Sequence, residues 1–120
     1  MRWFWQASDR RRFPRFKADI PVIASLIGER DIISLRTRCE SISEGGVGTP
    51  AVESLTLGDL VTLELHLPVS ASPIWIDTVV RYSSTARCGL EFRSLGPNQR
   101  KLIKHYCRLQ PKEKSRRWLG

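Results

Sequence analysis

The chain is poor in the residues on which metal and covalent chemistry draw, with 3 cysteines and 2 histidines in 120 residues. Cys39, Cys88 and Cys107 are odd in number and never fall in a C-x-x-C pair, which argues against a disulfide framework or a zinc knuckle and makes buried free thiols the expectation. His66 and His105 have no ligand-like partner nearby in sequence and read as ordinary side chains. No G-x-S-x-G, H-E-x-x-H or G-x-x-x-x-G-K segment occurs, so nothing in the sequence motivates a nucleophile elbow, a zinc protease helix or a phosphate loop. Long apolar runs are lacking too. The longest uncharged stretch near the start, Ile20 to Gly28, falls well short of the roughly 18–20 residues of a membrane span. Trp3-Phe4-Trp5 is too short for a signal-peptide core and runs directly into Asp9-Arg10-Arg11-Arg12. These absences lead us to expect a cytoplasmic, non-catalytic protein with no membrane span, no metal and no cofactor.

Acidic residues are scarce at the two ends. The formal charge of +8 divides unevenly: residues 1–17 carry six basic side chains and one acid, residues 100–120 carry eight and one, and residues 18–99 carry six and ten. Clustered Arg and Lys bind phosphates and release counterions, so an anionic partner is expected at the termini rather than over the whole surface. The length suits one compact domain with a single core.

Period-two alternation dominates the interior. Val61, Leu63, Leu65 and Leu67 alternate with Thr62, Glu64 and His66; Ile33, Leu35, Thr37 and Cys39 alternate with polar neighbours; Ile74, Ile76, Thr78, Val80 and Tyr82 repeat the pattern. Shorter runs lie at Ile20 to Ile27 and Cys88 to Phe92. Turn signals separate them at Gly28-Glu29, Gly45-Gly46, Gly58-Asp59 and Pro68 to Pro73. Short strands spaced by turns argue for an antiparallel sandwich or barrel, and closure removes exposed edges. Near the end, Pro97 suits a first helical position, and Leu102, Ile103, Tyr106 and Leu109 recur at helical spacing before Pro111. One amphipathic helix packed on the barrel is predicted, with Lys101, Lys104 and Arg108 outward.

Two segments carry recognisable chemistry. Arg10-Arg11-Arg12-Phe13-Pro14-Arg15-Phe16-Lys17 leads into the first strand. Arginine forks match phosphate and the O6/N7 edge of guanine, and Phe13-Pro14 favours an extended chain. Ser41-Ile42-Ser43-Glu44-Gly45-Gly46-Val47-Gly48 offers hydroxyls, and adjacent glycines that can take positive φ and bring N–H groups to an anion.

Together, R-x-x-x-R at Arg11 and Arg15 and S-x-S-x-x-G at Ser41, Ser43 and Gly46 resemble the PilZ domain. The likeness runs over roughly residues 10–110 and extends to Leu57-Gly58-Asp59-Leu60, Val79-Val80-Arg81 and Gly89-Leu90-Glu91-Phe92. It implies a six-stranded antiparallel β-barrel with a C-terminal α-helix: a flexible basic N-terminal arm over residues 1–17, the barrel and helix over 18–110, and a basic tail over 111–120. It also implies a receptor for the bacterial second messenger cyclic di-GMP. The ligand would be gripped by Arg11 and Arg15 and walled by Ser41, Ser43, Gly45 and Gly46. Arg10, just before the motif, is the position associated with an intercalated ligand dimer. The family usually has Asp or Asn where Ser41 stands. A carboxylate can accept from guanine N1–H and its amine together, whereas a hydroxyl makes one short contact, a loss on the order of 1–3 kcal/mol.

Ligand ordering of the arm would then regulate a partner protein, with motility, biofilm or polysaccharide synthesis as the output; a homodimer stays open. The alternative is a degenerate PilZ-like interaction adaptor that binds no nucleotide. A third reading, direct DNA or RNA binding with Trp3, Phe4 and Trp5 stacking on bases, has the least support.

Overall fold

The computed structural model describes residues 13–27 and 31–113. Six strands, β1 (Phe16–Ile27), β2 (Ile32–Ile42), β3 (Gly46–Pro50), β4 (Leu60–Leu65), β5 (Ile74–Ser83) and β6 (Arg87–Phe92), precede one helix, α1 (Pro97–Arg108). They close in the order β1-β2-β3-β6-β5-β4, with every neighbouring pair antiparallel and β4 returning to β1. Closure leaves no edge strand and decides between the sandwich and the barrel that the alternating pattern allowed.

Register explains why the alternating residues share one interior. Val22 faces Leu65, Ala24 faces Leu63 and Leu26 faces Val61 across β1 and β4. The same rows continue into β5, where Leu63 faces Ile76 and Val61 faces Thr78, and from Val80 to Leu90 on β6. A one-residue slip would turn each row outward, so this register is held by the whole core. Thr78, the polar member of the inner row, donates its buried hydroxyl to the Val61 carbonyl at 2.8 Å and leaves no orphaned group there.

Helix α1 covers the barrel with Ile103, Tyr106 and Cys107. Pro97 is its first residue, the Gly96 N–H donates to Gln99 Oε1 at 2.8 Å, and the Gln99 amide donates to the Trp75 carbonyl at 2.7 Å, so one side chain caps the helix and ties it to β5. Leu109 departs from the predicted apolar face. It follows the last helical turn and is exposed, and Cys107 takes the inward position. Likewise Ile33, assigned to the buried face of its strand, is exposed together with Ile32 near the β1–β2 turn. Periodicity told which side of β2 these residues occupy, not whether the core reaches that far.

The segment read as a glycine-rich turn contains a strand of its own, β3, whose Gly-Val-Gly-Thr-Pro composition hides it because glycine and proline are depleted in strands. Its inward residues Val47 and Thr49 are buried, and it bridges β2 to β6. Among the described residues no helix is long and apolar enough to cross a membrane.

All three thiols are free and buried, as expected. Desolvation raises the pKa of each; Cys107 moves from 9.0 to about 11, and the nearby Glu44 charge adds a smaller push in the same direction. A neutral thiol preferred by the native state contributes stability below the unfolded pKa and loses it as pH rises toward the folded value. Unfolding free energy should therefore be flat near pH 7 and fall between about pH 8.5 and 11, and a thiol reagent at pH 8 should label no cysteine until denaturant is added. In urea titrations Leu63→Ala, at a fully buried position, should cost about 2–5 kcal/mol.

Candidate functional site

The candidate site lies on the outer face of β2, β3 and β6, and a local break in pairing creates it. Along β1, Phe16, Ala18 and Ile20 all pack toward the core, so β1 keeps its alternation. Lys17 pairs with Ser41 while Ile20 pairs with Cys39, so three steps on β1 match two on β2. The mismatch falls on β2, where Cys39 and Ile42 both enter the core although an odd number of steps separates them. The Cys39 thiol donates to the Ser41 carbonyl at 3.1 Å across this kink. Simple alternation would have put Ser41 on the side of Cys39; the break turns Ser41 and Ser43 to the outside instead.

Outside, Ser41 meets a surface without side chains. It pairs with Gly48, which pairs with Gly89 on β6. A Cβ on Gly48 would lie 2.5 Å from Ser41 Oγ, closer than carbon and oxygen tolerate, so glycine is required for the hydroxyl to lie where it does. Ser41 is 1% exposed, and its hydroxyl has no hydrogen-bond partner among the described residues. Such a buried polar group is uncommon and costs about 1–3 kcal/mol unless something satisfies it.

Ser43 has a different task. Its Oγ accepts the Gly45 N–H at 3.0 Å and its own N–H donates to the Gly46 carbonyl at 2.9 Å, which fixes the β2–β3 turn and leaves the hydroxyl hydrogen to be donated elsewhere. The expectation that Gly45 and Gly46 adopt positive φ is not met. Gly58 alone among the described residues does so. The need for glycine at position 45 is one of space, because the Phe13 ring lies 3.2 Å from where its Cβ would be.

Phe13 brings the described part of the arm onto this face. Phe16 pairs with Ile42 on one edge and bridges to Lys112 on the other; the Lys17 N–H donates to the Pro111 carbonyl at 2.9 Å and the Glu113 N–H to the Arg15 carbonyl at 2.8 Å. Arg15 thus directly precedes a backbone held from both sides, its own carbonyl being part of that hold, and the residue is 9% exposed. Burial of a guanidinium is costly unless hydrogen bonds or an anion compensate. Glu44 and Glu91, the acids flanking the glycines, are engaged by Arg100 at 3.7 Å and Arg81 at 2.6 Å.

The structure therefore brings Arg15, Ser41, Ser43, Gly45 and Gly46 to one face although up to 31 positions separate them in sequence. Arg10 and Arg11, the other predicted arginines, lie outside the described residues. No group of His, Cys, Asp and Glu suited to a metal ion occurs among the described residues. One cation that sequence reading missed stands at the edge of the glycine surface: Arg87, the first residue of β6, whose Nη1 lies 3.9 Å from the Gly48 Cβ position. Only the pairing of β3 with β6 shows it.

A PilZ domain model matches residues 9–109, most of the chain. This chain belongs to the PilZ family. Solved PilZ-type structures share its fold at low identity. The Bacillus subtilis inhibitor of motility MotI/DgrA is 24% identical with TM-score 0.64 over 83% of this chain and 50% of its own. The PilZ domain of Escherichia coli YcgR, solved with c-di-GMP, is 18% identical with TM-score 0.66 over 84% and 91%. Borreliella burgdorferi PlzA, also a c-di-GMP complex, is 13% identical with TM-score 0.59 over 86% and 43%. This PilZ chain spans about half the length of MotI/DgrA. No curated protein matches it at a comparable level.

If Gly48 is bare because Ser41 crosses it, Gly48→Ala should lower stability by about 1–3 kcal/mol through overpacking, and Ser41→Ala in the same chain should recover most of the loss. Thermal unfolding of the single and double variants measures both.

Proposed function

We propose that this PilZ domain is a non-catalytic receptor for cyclic di-GMP, in which Arg11 and Arg15 grip guanine edges and phosphates from the arm and the Ser41–Gly48 surface forms the opposing wall. The observation that carries the reading is the convergence of the second arginine of R-x-x-x-R with both serines of S-x-S-x-x-G through the Phe16–Ile42 and Lys17–Ser41 pairs. The chemistry suits the ligand. A cyclic dinucleotide presents two phosphates and two purine faces, Arg15 supplies a positioned fork, Ser41 supplies an unsatisfied hydroxyl, and the glycine surface admits a flat base close to the backbone. Family membership and the two neighbours solved with c-di-GMP support the same ligand class.

Arg10 would stack on or clamp a second ligand molecule, giving an intercalated dimer. The output is a protein–protein contact. Ligand drawn between arm and barrel changes what residues 15–17 and 111–113 present, because these segments share one hydrogen-bonded ladder. The partner is an effector protein in the cytoplasm, controlling motility, biofilm or polysaccharide synthesis.

Calorimetric titration of the full chain with cyclic di-GMP should show saturable binding, with one or two ligands per chain read from the stoichiometry. Arg15→Ala and Arg11→Ala should each weaken it by roughly a hundredfold or more. Undiminished binding in either variant would remove that arginine from the site, and a flat wild-type titration would leave the interaction-adaptor reading.

A further inference from the structure

Arg87 opens β6 immediately after the β5–β6 turn, and its backbone is fixed in place. Its N–H donates to Ser84 Oγ at 3.1 Å, its carbonyl accepts the Ser84 N–H at 2.8 Å, and its Cα pairs with Pro50 of β3. From there the guanidinium extends over the bare surface, so that Nη1 and Ser41 Oγ both lie within 4 Å of one point above Gly48. The two residues are 46 positions apart in sequence and approach the same place because β2 and β6 both pair with β3, where position 48 carries no side chain.

Two facts make this more than proximity. No ion pair or side-chain hydrogen bond among the described residues engages the Arg87 guanidinium, and Glu44 and Glu91, the acids flanking the glycines, are held by Arg100 and Arg81. Ser41, directly beside it, is buried with its hydroxyl unsatisfied. A half-buried cation with no counter-ion and an orphaned hydroxyl on one bare surface form a site for an anion that also accepts hydrogen bonds.

We propose that Arg87 is a third arginine of the ligand site, binding a phosphate of the nucleotide from the β6 side, and that serine at position 41 is what leaves it uncommitted. The inference rests on the receptor reading given above. A carboxylate at position 41 would extend one atom beyond the present hydroxyl, over the Gly48 position that Arg87 Nη1 also approaches, and its charge there would compete for the guanidinium. The serine therefore exchanges one mode of recognition for another. It gives up the two acceptors that a carboxylate offers guanine and keeps a guanidinium for phosphate.

The exchange predicts a coupling that simple substitution of the motif residue does not. By calorimetry with cyclic di-GMP on the full chain, Arg87→Gln should weaken binding by at least about tenfold and reduce the dependence of affinity on salt, because one phosphate contact is lost. Arg87→Lys should restore the salt dependence in part, which separates charge from packing. Ser41→Asp alone should bind no tighter than wild type, yet in the Arg87→Gln background the same change should tighten binding by about tenfold, since the carboxylate is then free for guanine. Arg87→Gln binding within twofold of wild type, or Ser41→Asp acting equally in both backgrounds, would overturn the proposal while leaving the receptor reading intact. Absence of binding by wild type would remove both.

Discussion

The site depends on a steric constraint: the outer face of β3 must be free of a side chain at Gly48, which pairs with Gly89 of β6. The Ser41 hydroxyl occupies the volume that a Cβ at position 48 would need. Because that volume is empty of carbon, Ser41 can lie against the backbone and Arg87 can reach toward it from β6. A side chain at position 48 would take the place of the Ser41 hydroxyl and stand between it and Arg87.

That surface acquires a second wall from the arm. The odd-step kink of β2 between Cys39 and Ile42 turns both serines outward, and the same register shift places Phe16 and Lys17 alongside them. Residues 111–113 then hold the outer edge of this short stretch of β1. Three parts of the chain, the arm, the motif strand and the segment after α1, consequently share hydrogen bonds at one place. The hydrogen-bonded ladder therefore joins residues 15–17, beside the motif strand, to residues 111–113, which follow the helix. The barrel beneath is held in register by its own core, since its inward rows permit no slip.

Much of this was legible in the sequence, and the limits have physical causes. Alternation located β4, β5 and most of β1, β2 and β6, because their inward residues face a continuous core. Pro97 marked the start of α1 correctly. β3 escaped because the property that makes it useful, glycine facing outward, is the property that erases a strand signature. Leu109 and Ile33 were misplaced because periodicity reports a face and not the extent of the core. The resemblance to the PilZ family named Arg15, Ser41 and Ser43, but their different surroundings could not be read there: Ser43 holds a turn while the Ser41 hydroxyl has no partner among the described residues, and the kink in β2 turns both outward. Arg87 gave no signal, since its significance lies in a neighbour 46 residues away that only the pairing of β3 with β2 and β6 brings near.

The central claim is that the nucleotide lies on the outer face of β2, β3 and β6 beneath the arm. Backbone amide shifts followed by NMR during titration with cyclic di-GMP test it residue by residue. The account predicts that the largest changes fall on Phe13, Arg15, Ser41, Gly48, Arg87 and Gly89, with Glu64 and Trp75 on the opposite side of the barrel unmoved. Changes centred on β4 and β5, with Ser41 and Gly48 silent, would contradict it.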